Sequence, residues 1–212
     1  MNSTPDIPDE AAPRAPETPE AERFALVALS ERQGAIETMI TAFAADPVIR
    51  WFYSEPWRYL GRYGGFIQAF GGQAFDDGTA WSLDGSKAAA IWLSPDSELD
   101  GDAIVGYLQD TVAPEKIDDL LSVIEQMDAG HPDEPHWYLA WLGVDAASQG
   151  RGLGSELLRR CLKIIDRDHV PAYLDNTNPR NAAMYERQGF VVTGESQAGA
   201  CPPLSGMLRA AR

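Results

Sequence analysis

A glycine-rich turn in the second half of the chain lies between a strand-like segment and an amphipathic helix. The turn reads Gln149-Gly150-Arg151-Gly152-Leu153-Gly154-Ser155. The segment before it, 136–144, is rich in aromatic and branched residues, which favours a mostly buried strand. Apolar residues recur at helical spacing after it, as far as Ile165. A helix N-terminus that follows glycines presents free backbone N–H groups and a positive dipole end, so the sequence predicts a site for a phosphorylated ligand.

Three interpretations compete for such a turn. A Walker loop needs a Lys-Ser/Thr pair after its last glycine, but Gly154 is followed by Ser155-Glu156, so this pattern is excluded. A dinucleotide-binding fold needs a different glycine spacing in an early strand–helix–strand unit. The third interpretation is a tight strand–helix connection that binds nothing.

A second segment of the sequence favours the interpretation that the glycine-rich turn binds a ligand. The turn matches the pattern Gln/Arg-x-x-Gly-x-Gly/Ala, and Asn178-Pro179-Arg180-Asn181-Ala182-Ala183-Met184-Tyr185 follows about thirty residues later. Together the two segments resemble the signature segments of the GCN5-related N-acetyltransferase (GNAT) superfamily, over roughly residues 24–209. The chain is most similar to puromycin N-acetyltransferase-like members. That narrower resemblance is carried by Ala42-Phe43-Ala44, Asp46-Pro47, Ala90-Ile91-Trp92-Leu93-Ser94-Pro95, Ser148–Ser155, Pro179-Arg180-Asn181 and Tyr185-Glu186-Arg187.

The resemblance implies an α/β fold, with a GNAT-like central mixed β-sheet whose central strands splay at the ligand and whose helices flank both faces. Residues 1–22 form an acidic tail rich in proline and alanine, predicted to be disordered because it has little apolar surface to bury. Residues 23–212 form a single acetyltransferase domain. The patterns predict strands at 24–29, 79–83, 87–93, 136–144, 171–174, 190–193 and 205–208, and helices at 31–45, 56–70, 102–109, 114–127 and after the glycine turn, with a short helix that ends in Tyr185.

Composition narrows the class of protein. The formal net charge of −15 argues against a nucleic-acid partner, because nucleic-acid phosphates require a basic surface. No apolar run approaches the length of a membrane span, and the N-terminus lacks the features of a signal peptide, so a cytoplasmic location without a membrane partner is expected. His131, His136 and His169 show no metal-ligand spacing with the two cysteines, so no metal is expected.

The resemblance implies that acetyl-CoA is the co-substrate. The predicted activity is transfer of its acetyl group to a primary amine of a small cationic molecule, by direct attack in a ternary complex. Two alternatives remain open: a non-catalytic acyl-CoA sensor, and an acetyltransferase for protein or peptide amines. A homodimer is a possible assembly.

The resemblance also assigns residues to the coenzyme. Backbone groups of Leu142, Gly143 and Val144 align the pantetheine, and one N–H polarises the thioester carbonyl, with Gly143 expected at a local bulge. The pyrophosphate binds to Gln149, Gly150, Arg151, Gly152, Leu153, Gly154 and Ser155. Asn178 and Asn181 bind the pantetheine or phosphate arm, and a loop cap is the competing role for both.

Two residues are the catalytic candidates. Tyr185 matches the acid that returns a proton to the leaving thiolate, while a core tyrosine is the alternative. Many family members place a glutamate on the central strand as the base, but this chain has Trp137, Tyr138, Ala140 and Trp141 there. Asp175, at the end of the next strand, is the candidate base; Glu134 and a water relay are the alternatives.

Overall fold

The computed structural model describes residues 23–212, so the predicted acidic tail lies outside the described residues. The strands are β1 (Phe24–Leu26), β2 (Ala80–Leu83), β3 (Ala88–Leu93), β4 (Trp137–Val144), β5 (Ala172–Asn176), β6 (Val191–Ser196) and β7 (Leu204–Arg209). The helices are α1 (Arg32–Ala42), α2 (Pro47–Phe52), α3 (Pro56–Gly71), α4 (Gln73–Asp77), α5 (Gly101–Thr111), α6 (Pro114–Gly130), α7 (Leu153–Ile165) and α8 (Ala182–Glu186).

The strands form one mixed sheet, which confirms the predicted α/β class. Its order is β1-β2-β3-β4-β5-β7-β6, and β4 with β5 is the parallel pair, while the other pairs are antiparallel. Helices α1 and α3 pack on one face, and α7 packs on the other. Helices therefore cover both faces, as expected of a sheet whose central strands are apolar throughout.

Two predicted boundaries near the N-terminus were wrong. Strand β1 ends at Leu26 rather than at residue 29, because Leu29–Glu31 forms a 3-10 turn in which the Glu31 carboxylate accepts from the Ala28 N–H. Helix α1 ends at Ala42 rather than at residue 45. Pro47 disfavours helical backbone at Asp46, which instead adopts an extended conformation and caps α2 through the N–H groups of Val48 and Ile49.

The central strands separate soon after they meet. Strands β4 and β5 are in register at Trp137↔Ala172 and Tyr138↔Tyr173 and at no later described pair, which confirms the predicted splay. On its other edge β4 continues to pair with β3 as far as Val144. Beyond Tyr138, therefore, no described strand pairs with the backbone groups of β4 that point toward β5.

The bulge predicted at Gly143 lies elsewhere. Ile91 is opposite Trp141 and Trp92 is opposite Leu139, so the extra residue of β4 is Ala140. An extra residue shifts the side-chain alternation by one position, and Ala140 and Trp141 consequently both face the α1–α3 side. Gly143 pairs regularly with Ala89.

Gly143 provides space for helix packing. A Cβ at this position would lie 2.6 Å from the Met39 sulfur and 2.9 Å from the Ala42 Cβ. Helix α1 therefore packs directly on the β4 backbone. This close approach explains the glycine without any bulge.

Replacing Gly143 with alanine should destabilise the fold by about 1–3 kcal/mol, because the added methyl overpacks a rigid helix–sheet contact. Urea denaturation of the two proteins measures this difference. Gly61→Ala is the control, since Gly61 is an exposed helical residue with open space around it; it should stabilise by about 0.5–1 kcal/mol. Equal midpoints for Gly143→Ala and the unmodified protein would contradict the packing role.

Candidate active site

A cavity of about 400 Å³ lies where β4, the glycine turn and α8 meet. Most of the residues that the sequence analysis assigns to the coenzyme line this cavity. The predicted residues in its lining are Leu142, Gly143, Val144, Gln149, Gly150, Gly152, Leu153, Gly154, Ser155, Asn178, Asn181 and Tyr185. Arg151 is exposed and is not among the lining residues. Arg180, which was not predicted, adds a cation to the lining.

The glycine turn has the backbone that an anion site requires. Gly150 and Gly152 have φ of 75° and 79°, and no atom lies within 4 Å of a Cβ built on either. Gly152 is the N-cap of α7, so the first amides of that helix have no partner within the helix. The Gln149 side chain donates to the Val144 carbonyl at 3.1 Å and ties the turn to the end of β4.

The two asparagines differ in their contacts. The Asn178 side chain accepts from the Arg180 N–H at 3.2 Å and caps the 3-10 turn Pro179–Asn181. This is the loop-cap role that competed with coenzyme binding. Asn181 follows at the end of the same turn and also lines the cavity.

Tyr185 is a buried residue of α8 and lines this 400 Å³ cavity. Burial raises the pKa of its phenol, and the nearby Asp46 carboxylate raises it further.

Asp46 is a site residue that sequence reasoning missed. Burial raises its own pKa, although the N–H groups of Ile49 and Val48 and the Thr177 hydroxyl oppose that effect by hydrogen bonding. The Asp46-Pro47 signal predicted a helix boundary and gave no indication of this contact.

A second, larger cavity of about 750 Å³ adjoins the first. Strand β4 lines both cavities, and Asp46 of the smaller one accepts a hydrogen bond at 2.7 Å from Thr177 of the larger one. Its walls are mainly apolar side chains from α2, α3, α5 and α6. The aromatic part of the wall is Phe52, Phe66, Phe70, Tyr138 and Trp141.

Asp175 is the buried acid of the larger cavity. Its side chain is 2% exposed, its Oδ2 accepts from the Tyr138 hydroxyl at 3.1 Å and lies 3.7 Å from His131 Nε2. Its Oδ1 is buried and has no hydrogen-bond partner in the described part of the chain. A buried carboxylate oxygen without a donor is costly, so this atom indicates a place for a ligand donor.

Two histidines to which the sequence analysis gave no role, His131 and His136, belong to the same cluster. His131 Nδ1 lies 3.0 Å from His136 Nε2, and His136 Nδ1 lies 2.8 Å from the Glu134 carbonyl oxygen. Both rings line the larger cavity. The sequence signal was their position on either side of the breaker Pro132–Pro135, which turns the chain back so that the rings meet.

The described part of the chain has no group of three or more His, Cys, Asp or Glu side chains placed to hold a metal ion. Nor does any helix within residues 23–212 have the length and apolar character needed to cross a membrane.

Comparison with known proteins identifies the family. The model of the acetyltransferase (GNAT) family matches residues 49–190 of this chain. The chain belongs to this family. Its mixed sheet with helices on both faces is the GNAT fold.

Individual relatives of this GNAT protein are more distant. An uncharacterized N-acetyltransferase of Schizosaccharomyces pombe is 36% identical over 59 residues, which is 28% of this chain and 24% of that protein. The match thus spans about a quarter of the relative's length. The narrower resemblance to puromycin N-acetyltransferase-like proteins stays a prediction.

Solved structures agree on the fold. A structure from Corynebacterium glutamicum, described as histone acetyltransferase HPA2 and related acetyltransferase, has a TM-score of 0.65 at 20% identity and covers 90% of this chain and 96% of its own. The structure of arylalkylamine N-acetyltransferase 2 from Aedes aegypti has a TM-score of 0.63 at 15% identity. The match covers 90% of this chain and 99% of that chain.

Replacing Gly152 with valine should weaken coenzyme A binding at least tenfold, because a branched side chain is strained at this φ and would occupy the space above the helix amides. Isothermal titration with coenzyme A measures the change. The matched control is Gly61→Val, the same substitution on the exposed face of α3, which should bind coenzyme A normally. Normal binding by a folded Gly152→Val protein would show that the turn does not hold the coenzyme.

Proposed function

We propose that this GNAT protein transfers the acetyl group of acetyl-CoA to a primary amine of a small molecule, by direct attack in a ternary complex. One observation carries the proposal: a cavity with a phosphate-type cradle adjoins a second cavity that contains an unpartnered buried carboxylate oxygen. The first suits the coenzyme and the second suits an ammonium group. The Aedes aegypti structure, named an arylalkylamine N-acetyltransferase, supports an amine acceptor.

The residues of the smaller cavity suit acetyl-CoA. Two glycines with positive φ and the first amides of α7 offer N–H groups to a pyrophosphate, and Arg180 adds a positive charge. The unpaired edge of β4 after Tyr138 offers backbone groups to an extended pantetheine arm. When bound, acetyl-CoA supplies an activated thioester carbonyl and a thiol leaving group.

Tyr185 is the proposed proton donor to the leaving sulfur. The raised pKa of its buried phenol keeps it protonated at neutral pH, as a donor requires. A phenol with a raised pKa is also a weak acid, so its proton transfer has to be coupled to the arrival of a proton from the substrate nitrogen.

Asp175 is the proposed binding partner of the amine. Its free Oδ1 can accept a hydrogen bond from an ammonium group, which supplies the missing donor and compensates the buried charge. The described lining of both cavities contains no cysteine, since Cys161 and Cys201 lie outside it. This supports direct attack by the amine rather than passage of the acetyl group through a protein thiol.

Tyr185→Phe should lower kcat about 100-fold, the usual contribution of a general acid, while the Kd for coenzyme A stays within about twofold. Thiol release with an amine panel, together with titration calorimetry, measures the two quantities. Tyr63→Phe is the matched control, because Tyr63 is also buried, its hydroxyl has no described partner and it lines neither cavity; the kcat of this variant should be unchanged. Tight coenzyme binding by the unmodified protein with no turnover of any amine would instead support an acyl-CoA sensor.

A further inference from the structure

The larger cavity combines one internal charge with apolar walls. Asp175 is the buried carboxylate on its sheet side. Four other acids line it, but all are exposed residues of the rim: Glu125, Asp128, Asp133 and Glu134. No Lys or Arg is among the described lining residues. The lining therefore favours a cation at Asp175 and disfavours a second charge a few atoms away.

The surface between Asp175 and the rim is suited to hydrocarbon. Phe70 packs edge-on against Tyr138 and Trp141 with ring centroids 6.0 Å and 5.8 Å apart, and these rings form one wall. Ile104, Val105 and Ile124, from α5 and α6, are among the lining residues too. An aryl or alkyl group attached to the amine would be buried among these side chains.

Resting on the proposed function, we infer that the substrate is a primary amine attached to an apolar alkyl or aryl body, with its nitrogen at Asp175 Oδ1. Short diamines such as putrescine are poor substrates by this inference, since their second ammonium would be buried against the apolar wall without a partner. The exposed rim acids attract amines in general, and exposed charges of this kind contribute little to discrimination.

The test compares kcat/KM for octylamine and 2-phenylethylamine with kcat/KM for putrescine, by thiol release from acetyl-CoA. The expected ratio is at least tenfold in favour of the apolar amines. A preference for putrescine would overturn the inference while leaving amine acetylation intact. Absence of turnover with every amine would instead count against the proposed function.

A charge placed in the wall provides a second test. Val105 is half-buried in the cavity lining. Val105→Asp should therefore lower the ratio of kcat/KM for octylamine to kcat/KM for putrescine at least tenfold. Val191→Asp is the matched control, because Val191 is 61% exposed on β6 and lines neither cavity. An unchanged ratio in Val105→Asp would show that the wall does not contact the substrate.

A separate observation, the hydrogen-bond chain of the two histidines, bears on which group accepts the substrate proton. The Glu134 carbonyl can only accept, so His136 carries its proton on Nδ1. Burial lowers the pKa of His136 and favours its neutral ring, in which Nε2 is an acceptor. His131 Nδ1, 3.0 Å away, must then be the donor in this contact.

This tautomer leaves one ring nitrogen free to receive a proton. In neutral His131 the unprotonated atom is Nε2, and it lies 3.7 Å from Asp175 Oδ2. A proton that arrives there produces an imidazolium beside a carboxylate, which is a stabilising arrangement. The Tyr138 hydroxyl fixes that carboxylate by donating to it.

The other groups that face His131 do not compete for this role. The rings of Tyr138 and Tyr173 lie 4.7 Å and 4.5 Å from its ring, and burial raises the pKa of both phenols, so they stay neutral. His136 is neutral for the reason given above. The remaining charged groups of the cavity lining are carboxylates: Asp175 and the exposed acids Glu125, Asp128, Asp133 and Glu134.

We propose that His131 is the catalytic proton acceptor and that His136 and Tyr138 are positioning residues. His131 Nε2 takes one proton from the substrate ammonium and later releases it to solvent. The amine nitrogen then forms the amide bond as the carbon–sulfur bond breaks. Tyr185 gives its proton to the departing sulfur and regains one from the nitrogen, so one proton is released per turnover.

His131→Gln should lower kcat/KM about 100-fold near neutral pH. In the variant kcat/KM should rise steadily with pH, because only amine that is already deprotonated can react; alkyl ammonium groups titrate near pH ~10. Added imidazole should restore part of the rate.

His169→Gln is the control for this profile, because His169 contacts the Arg212 carbonyl and lines neither cavity; its profile should match that of the unmodified enzyme. An unchanged kcat/KM in His131→Gln near neutral pH, with no effect of added imidazole, would overturn the role of His131. Turnover of the unmodified enzyme in the same assay separates that result from failure of the proposed function.

Discussion

The separation of β4 from β5 after their second paired residue is the constraint on which the site depends. Two parallel strands that stayed in register would satisfy each other's backbone groups and leave no room for a ligand. Here β4 keeps its β3 partner and loses β5 beyond Tyr138 and Tyr173. A coenzyme arm and an amine can therefore approach the same strand from adjoining cavities.

Two polar side-chain contacts lie at the opening between the strands. The Asp46 carboxylate connects the N-terminus of α2 to Thr177, just after β5. Asp175 and Tyr138 connect the two strands at the point where they part. Both contacts are polar and largely enclosed, and interactions of this kind are strong when every group is satisfied and costly when one is not. Asp175 Oδ1 has no hydrogen-bond donor among residues 23–212, and it lies where the amine is proposed to bind.

Glycines serve two different physical purposes around this opening. Gly150 and Gly152 provide left-handed backbone in the turn, where space is open. Gly143, by contrast, lies where space is so limited that helix α1 touches the strand backbone. The bulge at Ala140 then directs Trp141 to the same face as Ala140, which adds an aromatic ring to the larger cavity.

Local sequence determined much of this protein. Helical spacing after Gly152 determined α7, aromatic and branched residues determined β4, and the two signature segments indicated the coenzyme side and Tyr185, because each of these signals lies within a few neighbouring residues. Tertiary structure alone decided the position of the bulge, since strand register depends on the partner strand. It also decided the cluster of His131, His136 and Asp175 and the contact between Asp46 and Thr177. Tyr138 and Asp175 are 37 residues apart and Asp46 and Thr177 are 131 residues apart, so only the packing of the sheet and helices brings them together.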